Sequence, residues 1–397
     1  MTCPNENAAR TVWIVNPFDN LPPEGLRPQR YWLMARAFAS AGWKVVYWSA
    51  DFSHAAKRVR QTPEGEALLP DGVVREIDGI GLRLVHEPPY SANICLKRIY
   101  SHWRLARNWL ASVQDMPPPE VVIVSSPPLS VAAAARRFCR RTGAKLVVDI
   151  QDAWPETFAR VLPRPLLAPL AAVARRNYLA ADAITAVSRR YLDMARRYGA
   201  QCQMHLCYHG IEMTGSVSAR TAAGTPRLRL AYVGNMSLSY DLATVVRAVK
   251  GAPELELDLA GAGPDEANLR ALAAGCERIR FHGYLAADAL RALLAQAEVG
   301  VVPMFDASCV GIPGKFADYA AAGLPIVNSL GGEAAELLAQ YGAGVAYEAG
   351  NASSFLAAVQ NARAIKKEAI SAFAVEFDAQ KLYNAYHQFV KGLFTGV

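Results

Sequence analysis

Short apolar runs rich in β-branched residues alternate with helical stretches from Thr11 onward. Between these runs, segments such as residues 31–41 and 131–142 carry apolar residues at helical spacing. Strands that are apolar on both faces and separated by helices predict a parallel sheet covered by helices. The predicted strands of the first half are residues 12–15, 44–48, 121–125 and 146–150.

The same pattern restarts after residues 214–226, a stretch of Gly, Ser, Thr and Ala without a strong apolar period. The strands predicted in the second half are residues 228–233, 255–260, 299–303 and 326–329. The chain is therefore predicted to form two doubly wound α/β domains joined near residues 212–226. Because such sheets bind ligands at the carboxyl ends of their strands, we expect the two domains to share a cleft.

Composition narrows the class of protein. Of 397 residues, 52% are hydrophobic and 19% are charged, which excludes a disordered chain. The first ten residues are polar, and no window reaches the ~18 consecutive apolar residues of a membrane span. Seven cysteines without regular spacing fit a reducing compartment. We therefore expect a cytoplasmic protein without a disulfide framework.

Basic residues are concentrated in the first half. Residues 1–200 contain 27 Lys and Arg against 17 Asp and Glu, whereas residues 201–397 contain 15 against 18. A basic half suits nucleic acid, anionic lipid or a phosphorylated substrate as partner.

A predicted helix over residues 94–113 lies in this basic half. One of its faces carries Leu96, Ile99, Trp103, Ala106, Leu110 and Val113. Two interpretations stay open: a surface helix that packs this face on the sheet, or a helix that contacts an anionic membrane surface.

Three common ligand-binding motifs are missing. Residues 16–20 follow the first strand without a G-x-G-x-x-G pattern, which disfavours a Rossmann dehydrogenase. Residues 311–316 have the wrong spacing for a P-loop, which disfavours an ATPase. No Asp-x-Asp triplet occurs, and the His and Cys residues of 202–209 are too spread along a strand for one tetrahedral ion. We therefore predict no metal site.

Two turns nevertheless suit a phosphate. Pro313 can occupy the first turn of a helix over residues 315–322, which brings free N–H groups and an ammonium together near residues 311–315. The alternative there is a capped helix with a solvated lysine. The other turn, at residues 232–235, ends a strand in glycine before a helix that starts near Asp241.

Several segments resemble one enzyme family in order and spacing. In the second half they are AYVGN (231–235), LAGAGP (259–264), FHGYL (281–285), VGVVP (299–303), GIPGKFADYAAAGLPIV (311–327) and GGEAAE (331–336). Those of the first half are residues 30–45, 149–156 and 181–188. Together they resemble the retaining family-four glycosyltransferases of GT-B fold, in particular the branch that builds surface polysaccharides and amino-sugar glycans.

The resemblance implies two Rossmann-like domains that face a central cleft. It implies an acceptor-binding domain at residues 1–212, a nucleotide-sugar-binding domain at 213–378, and a helix at 379–397 that crosses back to the first domain. The implied donor is a nucleotide diphosphate-sugar, UDP being the commoner carrier, and no metal or other cofactor is required. The implied mechanism is front-face attack with retention, in which the leaving phosphate helps to take the acceptor proton.

The resemblance also implies roles for individual residues. The predicted catalytic residues are Asp152, Lys315 and His54. The predicted donor-binding residues are Gly234, Asn235, Ser237, Gly261, Gly263, Gly311, Gly314, Lys315, Asp318 and Glu333. The predicted residues on the acceptor side are Gly25, Arg27 and Glu156. Asp152 also fits as the cap of a helix at Pro155, and His54 as a surface histidine.

The chain departs from the family pattern at several positions. The usual pair of glutamates falls at Val310 and Asp318, so the first carboxylate is missing and the second is one methylene shorter. Asn235 and Tyr240 replace the Arg and Lys common near the glycine turn. Lys315 is then the main cation for the diphosphate, with Arg27 a second candidate.

These observations predict a metal-independent retaining transferase of the hexosyl or N-acetylhexosaminyl type, acting on a lipid-linked or polysaccharide-precursor acceptor. We expect it in the cytoplasm, peripheral to the inner face of the cell membrane, in cell-envelope biosynthesis and without a nucleic-acid partner. Two alternatives stay open. One is a nucleotide-sugar epimerase or hydrolase of the same fold, and the other is a non-catalytic nucleotide-sugar-binding module, prompted by Val310.

Overall fold

The computed structural model describes residues 9–70, 74–93, 95–160, 162–213, 227–306 and 309–395. These residues divide into two compact units. Unit 1 comprises the residues up to Cys207 together with those from Gln380 onward, and unit 2 comprises Tyr208–Ala379. Residues 214–226, which the sequence pattern marks as a linker, lie outside the described residues.

Unit 1 is built on a mainly parallel sheet of eight strands, with a separate antiparallel pair formed by β3 and β4. The strands of the unit are β1 (Thr11–Val15), β2 (Lys44–Ala50), β3 (Phe52–Ser53), β4 (Arg58–Val59), β5 (Arg75–Ile77), β6 (Ile80–Val85), β7 (Val121–Ser126), β8 (Lys145–Ile150), β9 (Ala183–Ala186) and β10 (Gln203–Leu206). Its first helices are α1 (Arg30–Ser40), α2 (Leu96–Ser112), α3 (Leu129–Thr142), α4 (Arg164–Leu179) and α5 (Arg189–Arg197).

The strand order of the unit 1 sheet is β10-β9-β8-β7-β1-β2-β6-β5, and β5 alone pairs antiparallel with its neighbour. Strand β7 is buried along its whole length, as expected for a sheet covered on both faces. Aromatic side chains fill the space beneath the helices: the Trp13 ring stacks on Phe138 at 5.1 Å and meets Trp48 edge-on at 5.5 Å. The chain order reverses between β1 and β7, and such switch points open a crevice at the carboxyl ends of the strands.

Unit 2 is a second parallel sheet. Its strands are β11 (Leu228–Val233), β12 (Leu255–Ala260), β13 (Ile279–Gly283), β14 (Val299–Val302), β15 (Ile326–Asn328) and β16 (Gly344–Ala346). Its helices are α6 (Leu242–Gly251), α7 (Glu266–Ala273), α8 (Ala287–Gln296), α9 (Lys315–Ala321), α10 (Glu333–Tyr341), α11 (Ala352–Ala362) and α12 (Lys367–Ala374). The strand order is β13-β12-β11-β14-β15-β16, so the switch point lies between β11 and β14.

The last helix, α13 (Ala379–Gly392), follows unit 2 in the chain but packs in unit 1. Its His387 ring meets Phe38 of α1 edge-on at 5.0 Å, and its Phe389 ring stacks on His205 of β10 at 4.9 Å. The prediction of two doubly wound parallel sheets is confirmed, and each strand predicted from the sequence overlaps an observed one.

The packed face of α2 matches the predicted apolar face only in its second half. Ala106 and Val113 are buried, whereas Leu96, Ile99 and Trp103 have relative exposures of 83%, 52% and 43%, so the interpretation that packs the whole face on the sheet is wrong. The buried residues of the helix are Ser101, His102, Leu105, Ala106 and Trp109. Ser101 turns inward because its hydroxyl donates a hydrogen bond to the Glu87 carboxylate at 2.9 Å. The exposed α2 face, which we define as Leu96, Ile99, Tyr100 and Trp103, therefore points to solvent.

None of the helices in the described part of the chain is long and apolar enough to cross a membrane.

Candidate active site

Lys315 is a buried cation at the carboxyl edge of the unit 2 sheet. It is the first residue of α9, on the connection that follows β14, and β14 pairs with β11 at the switch point. The residue is only 9% exposed. Its Nζ donates a hydrogen bond to the Tyr240 hydroxyl at 3.1 Å, and lies 4.2 Å from the centroid of the Tyr240 ring and 5.0 Å from that of Tyr232.

Within the part of the chain that the structure describes, Lys315 forms no ion pair with a carboxylate. Two aromatic faces and one hydroxyl replace only part of the water that an ammonium loses on burial. A charged group in this situation favours an anionic ligand, with which it makes short and strong hydrogen bonds. The structure therefore places Lys315 where an anion can bind, at the point of the sheet where ligands of such folds bind.

The helix that carries Lys315 begins at that residue, as predicted. Gly314 is its N-cap, so Pro313 precedes the first turn instead of occupying it. Proline is common at the first helical position, but here it lies just before the N-cap. Gly311 is buried and Gly314 is exposed in this segment.

Two glycine turns of unit 2 pack backbone against backbone. A Cβ at Gly261 would overlap the carbonyl oxygen of Gly234, and a Cβ at Gly263 would overlap the carbonyl oxygen of Met236. The contact is closed by a hydrogen bond from the Met236 amide to the Ala262 carbonyl at 3.0 Å. Only glycine allows this approach. The turn after β11 is therefore held in place by the turn after β12.

The predicted donor residues Asn235 and Ser237 lie in the turn after β11, Asn235 exposed and Ser237 half-buried. Gly234 adjoins the lysine directly, because a Cβ at this position would lie 2.7 Å from Lys315 Nζ. The structure thus brings the glycine turn and the cation together. Their predicted role in binding a donor stays a prediction.

The two carboxylates predicted on the donor side have different surroundings. Asp318 is half-buried in the first turn of α9, one helical turn from Lys315. Glu333 begins α10, and its Oε1 accepts a hydrogen bond from the Tyr208 hydroxyl at 3.0 Å. Val310, at the position of the missing glutamate, is half-buried.

In unit 1, Gly25 and Arg27 lie in the loop between β1 and α1. Gly25 closes a short 3-10 turn, Pro22–Glu24, with a left-handed φ of 65°. A Cβ there would lie 2.7 Å from the ring of Pro63. The left-handed φ and the contact with Pro63 explain why residue 25 is a glycine. Arg27, in the same loop, is exposed.

The Asp152 carboxylate caps its own turn. Its Oδ1 accepts hydrogen bonds from the Ala153 amide at 2.8 Å and the Thr157 hydroxyl at 3.1 Å, and its Oδ2 accepts one from the Trp154 indole at 3.2 Å. Burial raises the pKa of Asp152, and these hydrogen bonds oppose the rise. The capping interpretation thus matches the contacts, and a role toward an acceptor hydroxyl stays a prediction.

Glu156 has one engaged and one open carboxylate oxygen. Its Oε1 accepts a hydrogen bond from the Tyr198 hydroxyl at 2.7 Å. Its Oε2 is buried without a hydrogen-bond partner among the described residues. A buried acceptor without a donor costs free energy unless a ligand or water supplies the donor. Glu156 is therefore a stronger candidate than Asp152 for contact with a hydroxyl.

His54 is held as a neutral imidazole. Its Nδ1 lies 2.5 Å from the Tyr90 hydroxyl and 3.2 Å from Lys57 Nζ. Burial lowers the pKa of His54 to about 3, and the charges of Arg98 and Lys57 add to this effect. Because both neighbours donate to Nδ1, the proton of the ring is on Nε2. His54 can therefore donate a hydrogen bond but has no free nitrogen with which to remove a proton.

Five residues near His54 were not predicted from the sequence as members of a site. They are Lys57, Tyr90, Arg98, His102 and Trp154. Each of them follows the carboxyl end of a parallel strand, β2, β6 or β8. Because ligands bind at the carboxyl ends of such strands, this position in the sequence could have identified them as candidates.

A buried ion pair ties α1 to β8 beside these loops. The Arg30 guanidinium donates two hydrogen bonds of 2.9 Å to the two oxygens of Asp149, and a third of 2.8 Å to the Cys207 carbonyl. Burial by itself would raise the pKa of Asp149, but the Arg30 charge and the hydrogen bonds hold it below its usual value. This pair fixes the start of the segment that carries Asp152 and Glu156.

Two sequence families match the chain. Residues 30–214 match the family described as Glycosyltransferase Family 4, and residues 227–364 match the family described as Glycosyl transferases group 1. Comparison with curated proteins finds no match.

Solved structures share the fold at low sequence identity. Sucrose-phosphate synthase from Thermosynechococcus elongatus has a TM-score of 0.74 at 14% identity, covering 97% of this chain and 99% of its own. HepE from Anabaena, solved with UDP and glucose, has a TM-score of 0.67 at 12% identity, covering 96% and 100%. WaaG, a glycosyltransferase involved in lipopolysaccharide biosynthesis, has a TM-score of 0.66 at 13% identity, covering 96% and 100%. At these identities the likeness shows a common fold.

Proposed function

Since the chain belongs to the family-4 glycosyltransferases of GT-B fold, we propose that it transfers a sugar from a nucleotide diphosphate-sugar to a lipid-linked or glycan acceptor. In this proposal unit 2 binds the donor and unit 1 binds the acceptor. The sugar is a hexose or an N-acetylhexosamine, the anomeric configuration is retained, and the product belongs to a surface polysaccharide or another part of the cell envelope.

The observation that carries the proposal is the buried ammonium of Lys315. Cleavage of the bond between sugar and phosphate leaves negative charge on the diphosphate, and a fixed cation stabilises that charge as it develops. Lys315 is already desolvated and already oriented by Tyr240, so little reorganisation accompanies the reaction. The adjoining turn at Gly234 leaves room for the ammonium itself, because a Cβ at Gly234 would lie 2.7 Å from Lys315 Nζ.

We propose that this lysine takes the place of a divalent metal. The sequence has no Asp-x-Asp triplet, which is the usual carboxylate pattern of metal-dependent transferases. Across the described ranges, no group of three or more His, Cys, Asp or Glu side chains has the geometry to hold an ion. The charge for the diphosphate then comes from the lysine alone.

Retention is proposed to proceed by front-face attack. The neutral His54 donates a hydrogen bond through Nε2, which orients the acceptor, and the leaving phosphate takes the proton of the attacking hydroxyl. The open Oε2 of Glu156 accepts a hydrogen bond from the same or a neighbouring hydroxyl. Uridine is the proposed base because HepE, which shares the fold, was solved with UDP and with UDP-glucose.

The proposal also places the protein peripherally at the inner face of the cell membrane. The exposed α2 face carries a Trp and a Tyr, the residues that favour the headgroup region, beside two aliphatic side chains. The Arg107 guanidinium stacks over the Trp103 ring at 4.9 Å, which adds a cation to this surface. A lipid-linked acceptor is then available at the same membrane.

The donor half is tested with UDP and a panel of nucleotide-sugars in thermal-shift and calorimetric titrations. We expect one nucleotide to raise the unfolding temperature by several degrees, in the presence or absence of EDTA, since saturation at 100 times Kd is worth about 2.7 kcal/mol. Lys315→Met keeps the apolar stem and removes the charge, and should weaken binding by about 10-fold to 100-fold.

Lys367→Met is the matched control, because Lys367 is an exposed lysine of unit 2 and its loss should leave binding unchanged. Equal binding by wild type and Lys315→Met would contradict the proposed donor site.

Product analysis by NMR with and without acceptor then separates transfer from hydrolysis or epimerisation, and the anomeric coupling of the product tests retention.

A further inference from the structure

Two cations of unit 1 are held together without a carboxylate partner. Lys57 follows β2 and Arg98 lies in the first turn of α2. Asn93 binds both: its side-chain Oδ1 accepts a hydrogen bond from Lys57 Nζ, and its backbone carbonyl accepts one from the Arg98 guanidinium, each at 2.6 Å. The two charges also flank one ring, Lys57 Nζ at 5.0 Å and Arg98 Cζ at 5.9 Å from the centroid of Tyr90.

Aromatic side chains surround the guanidinium. Arg98 Cζ lies 4.8 Å from the centroid of the Trp154 ring and 6.0 Å from that of Phe18. The His102 ring packs against Trp154 at 5.9 Å and is itself almost fully buried. These rings cover much of the guanidinium, whereas the Lys57 ammonium is half-buried and more open to solvent.

The surroundings show that positive charge accumulates here. Burial lowers the pKa of Lys57 to about 8, and Arg98 contributes to this shift. Burial likewise lowers the pKa of His102 to about 3, with Arg98 the next cause. The neighbouring acidic groups make no ion pair with these cations: Glu87 accepts the Ser101 hydroxyl through Oε1 and has no hydrogen-bond partner for Oε2 among the described residues, and Asp152 caps its own turn. In the described part of the chain neither Lys57 nor Arg98 forms an ion pair.

Two like charges at close range raise the free energy of the folded protein unless an anion lies between them. A guanidinium and an ammonium that share Asn93 and Tyr90 as neighbours have the chemistry to bind a phosphate, a diphosphate or a carboxylate group. The cluster lies at the carboxyl ends of β2, β6 and β8, which is where a doubly wound sheet binds its ligand. It also includes His54, whose Nδ1 is bound by Lys57.

We propose that the acceptor carries an oxyanion next to the hydroxyl that receives the sugar, and that Lys57 and Arg98 bind this oxyanion. The inference rests on the proposed function, since it names the acceptor class for that reaction. Lys57 and Arg98 recognise the acceptor and position it, whereas His54 and Glu156 contact its hydroxyl groups.

The test measures anion binding separately from donor binding. All variants are made in the full chain that also carries Lys315→Met, so that a diphosphate cannot bind through the donor lysine. The probes are pyrophosphate, inorganic phosphate, glucuronate and, as a neutral sugar, glucose. Binding is followed by calorimetry and by tryptophan fluorescence, since Trp154 adjoins the proposed anion site.

We expect at least one of the three anions to bind and glucose to bind more weakly than that anion. Tighter binding of the phosphates than of glucuronate identifies a phosphorylated acceptor, and the reverse order identifies an acidic sugar. Lys57→Met with Arg98→Gln should weaken the anion about 10-fold or more. Arg36→Gln with Lys44→Met removes the same charge from exposed positions of unit 1 and should leave binding unchanged.

The single variant Lys57→Met covers the case in which loss of the half-buried Arg98 prevents folding, because Lys57 lies in a loop and should still weaken the anion. The inference is overturned if no anion binds, or if the Lys57 and Arg98 variants bind anions as tightly as their control. If wild type and Lys315→Met bind UDP equally while the anion still binds through Lys57 and Arg98, the proposed donor site fails and the proposed anion site stands.

Discussion

Gly263 shows how a single hydrogen atom in place of a methyl group fixes the turn after β11. Its Cα faces the Met236 carbonyl and the Asn235 side chain, so Gly263→Ala forces the two turns apart. We expect a loss of about 1–3 kcal/mol in the free energy of unfolding, measured by urea denaturation, and weaker UDP binding by the same protein. Gly251→Ala is the control, since Gly251 ends α6 with no atom near its Cβ position. Equal stability of Gly263→Ala and wild type would refute this account of the turn.

Asp19 is a carboxylate whose burial opposes folding at neutral pH. Burial raises its pKa to about 6, although its Oδ2 accepts a hydrogen bond from the Tyr31 amide at 2.9 Å. A carboxylate with a raised pKa binds its proton more tightly in the folded state, so it reduces stability as pH rises from about 4 to 6. Above pH 6 the full cost is present, about 3 kcal/mol for a shift of this size.

Asp19→Asn should therefore stabilise the protein at pH 7.5 and have little effect near pH 4. The asparagine Oδ1 can still accept the Tyr31 amide, so the hydrogen bond is kept. Urea denaturation of both proteins at the two pH values measures the difference. A variant that is less stable than wild type at pH 7.5 would show that the charge of Asp19 is needed where it is.

Helix α2 shows why a periodic pattern did not identify the buried face. The apolar residues from Leu96 to Val113 recur at helical spacing, which ordinarily marks the packed side. The structure instead buries Ser101 and His102, because Ser101 bonds to Glu87 and the His102 ring packs on Trp154. In the first half of α2, polar residues that have partners therefore take the interior positions, and Leu96, Ile99 and Trp103 stay exposed. The partners come from the loops after β6 and β8, and the hydrophobic periodicity of α2 contains no information about those loops.

The exposed α2 face should bind anionic membranes. Leu96→Ser with Trp103→Ser removes its largest apolar contacts and should reduce sedimentation with phosphatidylglycerol vesicles about 10-fold or more, since each fully buried side chain of this size is worth about 1.5–3 kcal/mol. The unfolding temperature should not fall, because both side chains face solvent in the free protein.

Tyr284→Ser is the matched control for that experiment, because Tyr284 is an exposed aromatic residue of unit 2. It should leave vesicle binding unchanged. Vesicle binding that is as strong in the Leu96 and Trp103 variant as in the control would exclude the exposed α2 face as the membrane contact, and the proposed transfer reaction would not depend on that outcome.

The two sheets could be predicted from the sequence because the central strands are mostly apolar runs separated by helices, as in β7 and β14, or alternate apolar with charged residues, as in β12. The Lys315 segment was also recognisable, since glycine, proline and lysine follow a strand in close order. The partners of Lys315 were not, because Tyr232 and Tyr240 come from a different strand and turn. The cluster of Lys57 and Arg98 joins loops after several strands, and only the three-dimensional register of those strands brings them together.

Helix α13 follows unit 2 in the chain but contributes to the core of unit 1. Tyr386 of α13 is fully buried, and its hydroxyl lies 3.1 Å from the Thr185 hydroxyl of β9. The helix also carries Tyr383, whose ring lies 5.9 Å from the Arg30 guanidinium that pairs with Asp149. The last residues of the chain thus complete a core that begins at β1, so unit 1 closes only after unit 2 has been synthesised.

This arrangement predicts that the two units respond separately to mutation. Tyr386→Ala in the full chain should lower the stability of unit 1 by about 3 kcal/mol or more, because it leaves a cavity and removes one of the two hydrogen-bond partners of the Thr185 hydroxyl, the other being Asp149. Phe355→Ala, in the core of unit 2, should lower the stability of unit 2 in the same way.

Calorimetry with and without UDP shows which unfolding transition belongs to which unit, since UDP should raise only the unfolding temperature of unit 2. Tyr386→Ala should then keep the UDP-dependent shift while its other transition moves down, and Phe355→Ala should lower the UDP-dependent transition. If both variants instead lower one common transition equally, the units unfold together and α13 stabilises the whole chain rather than unit 1.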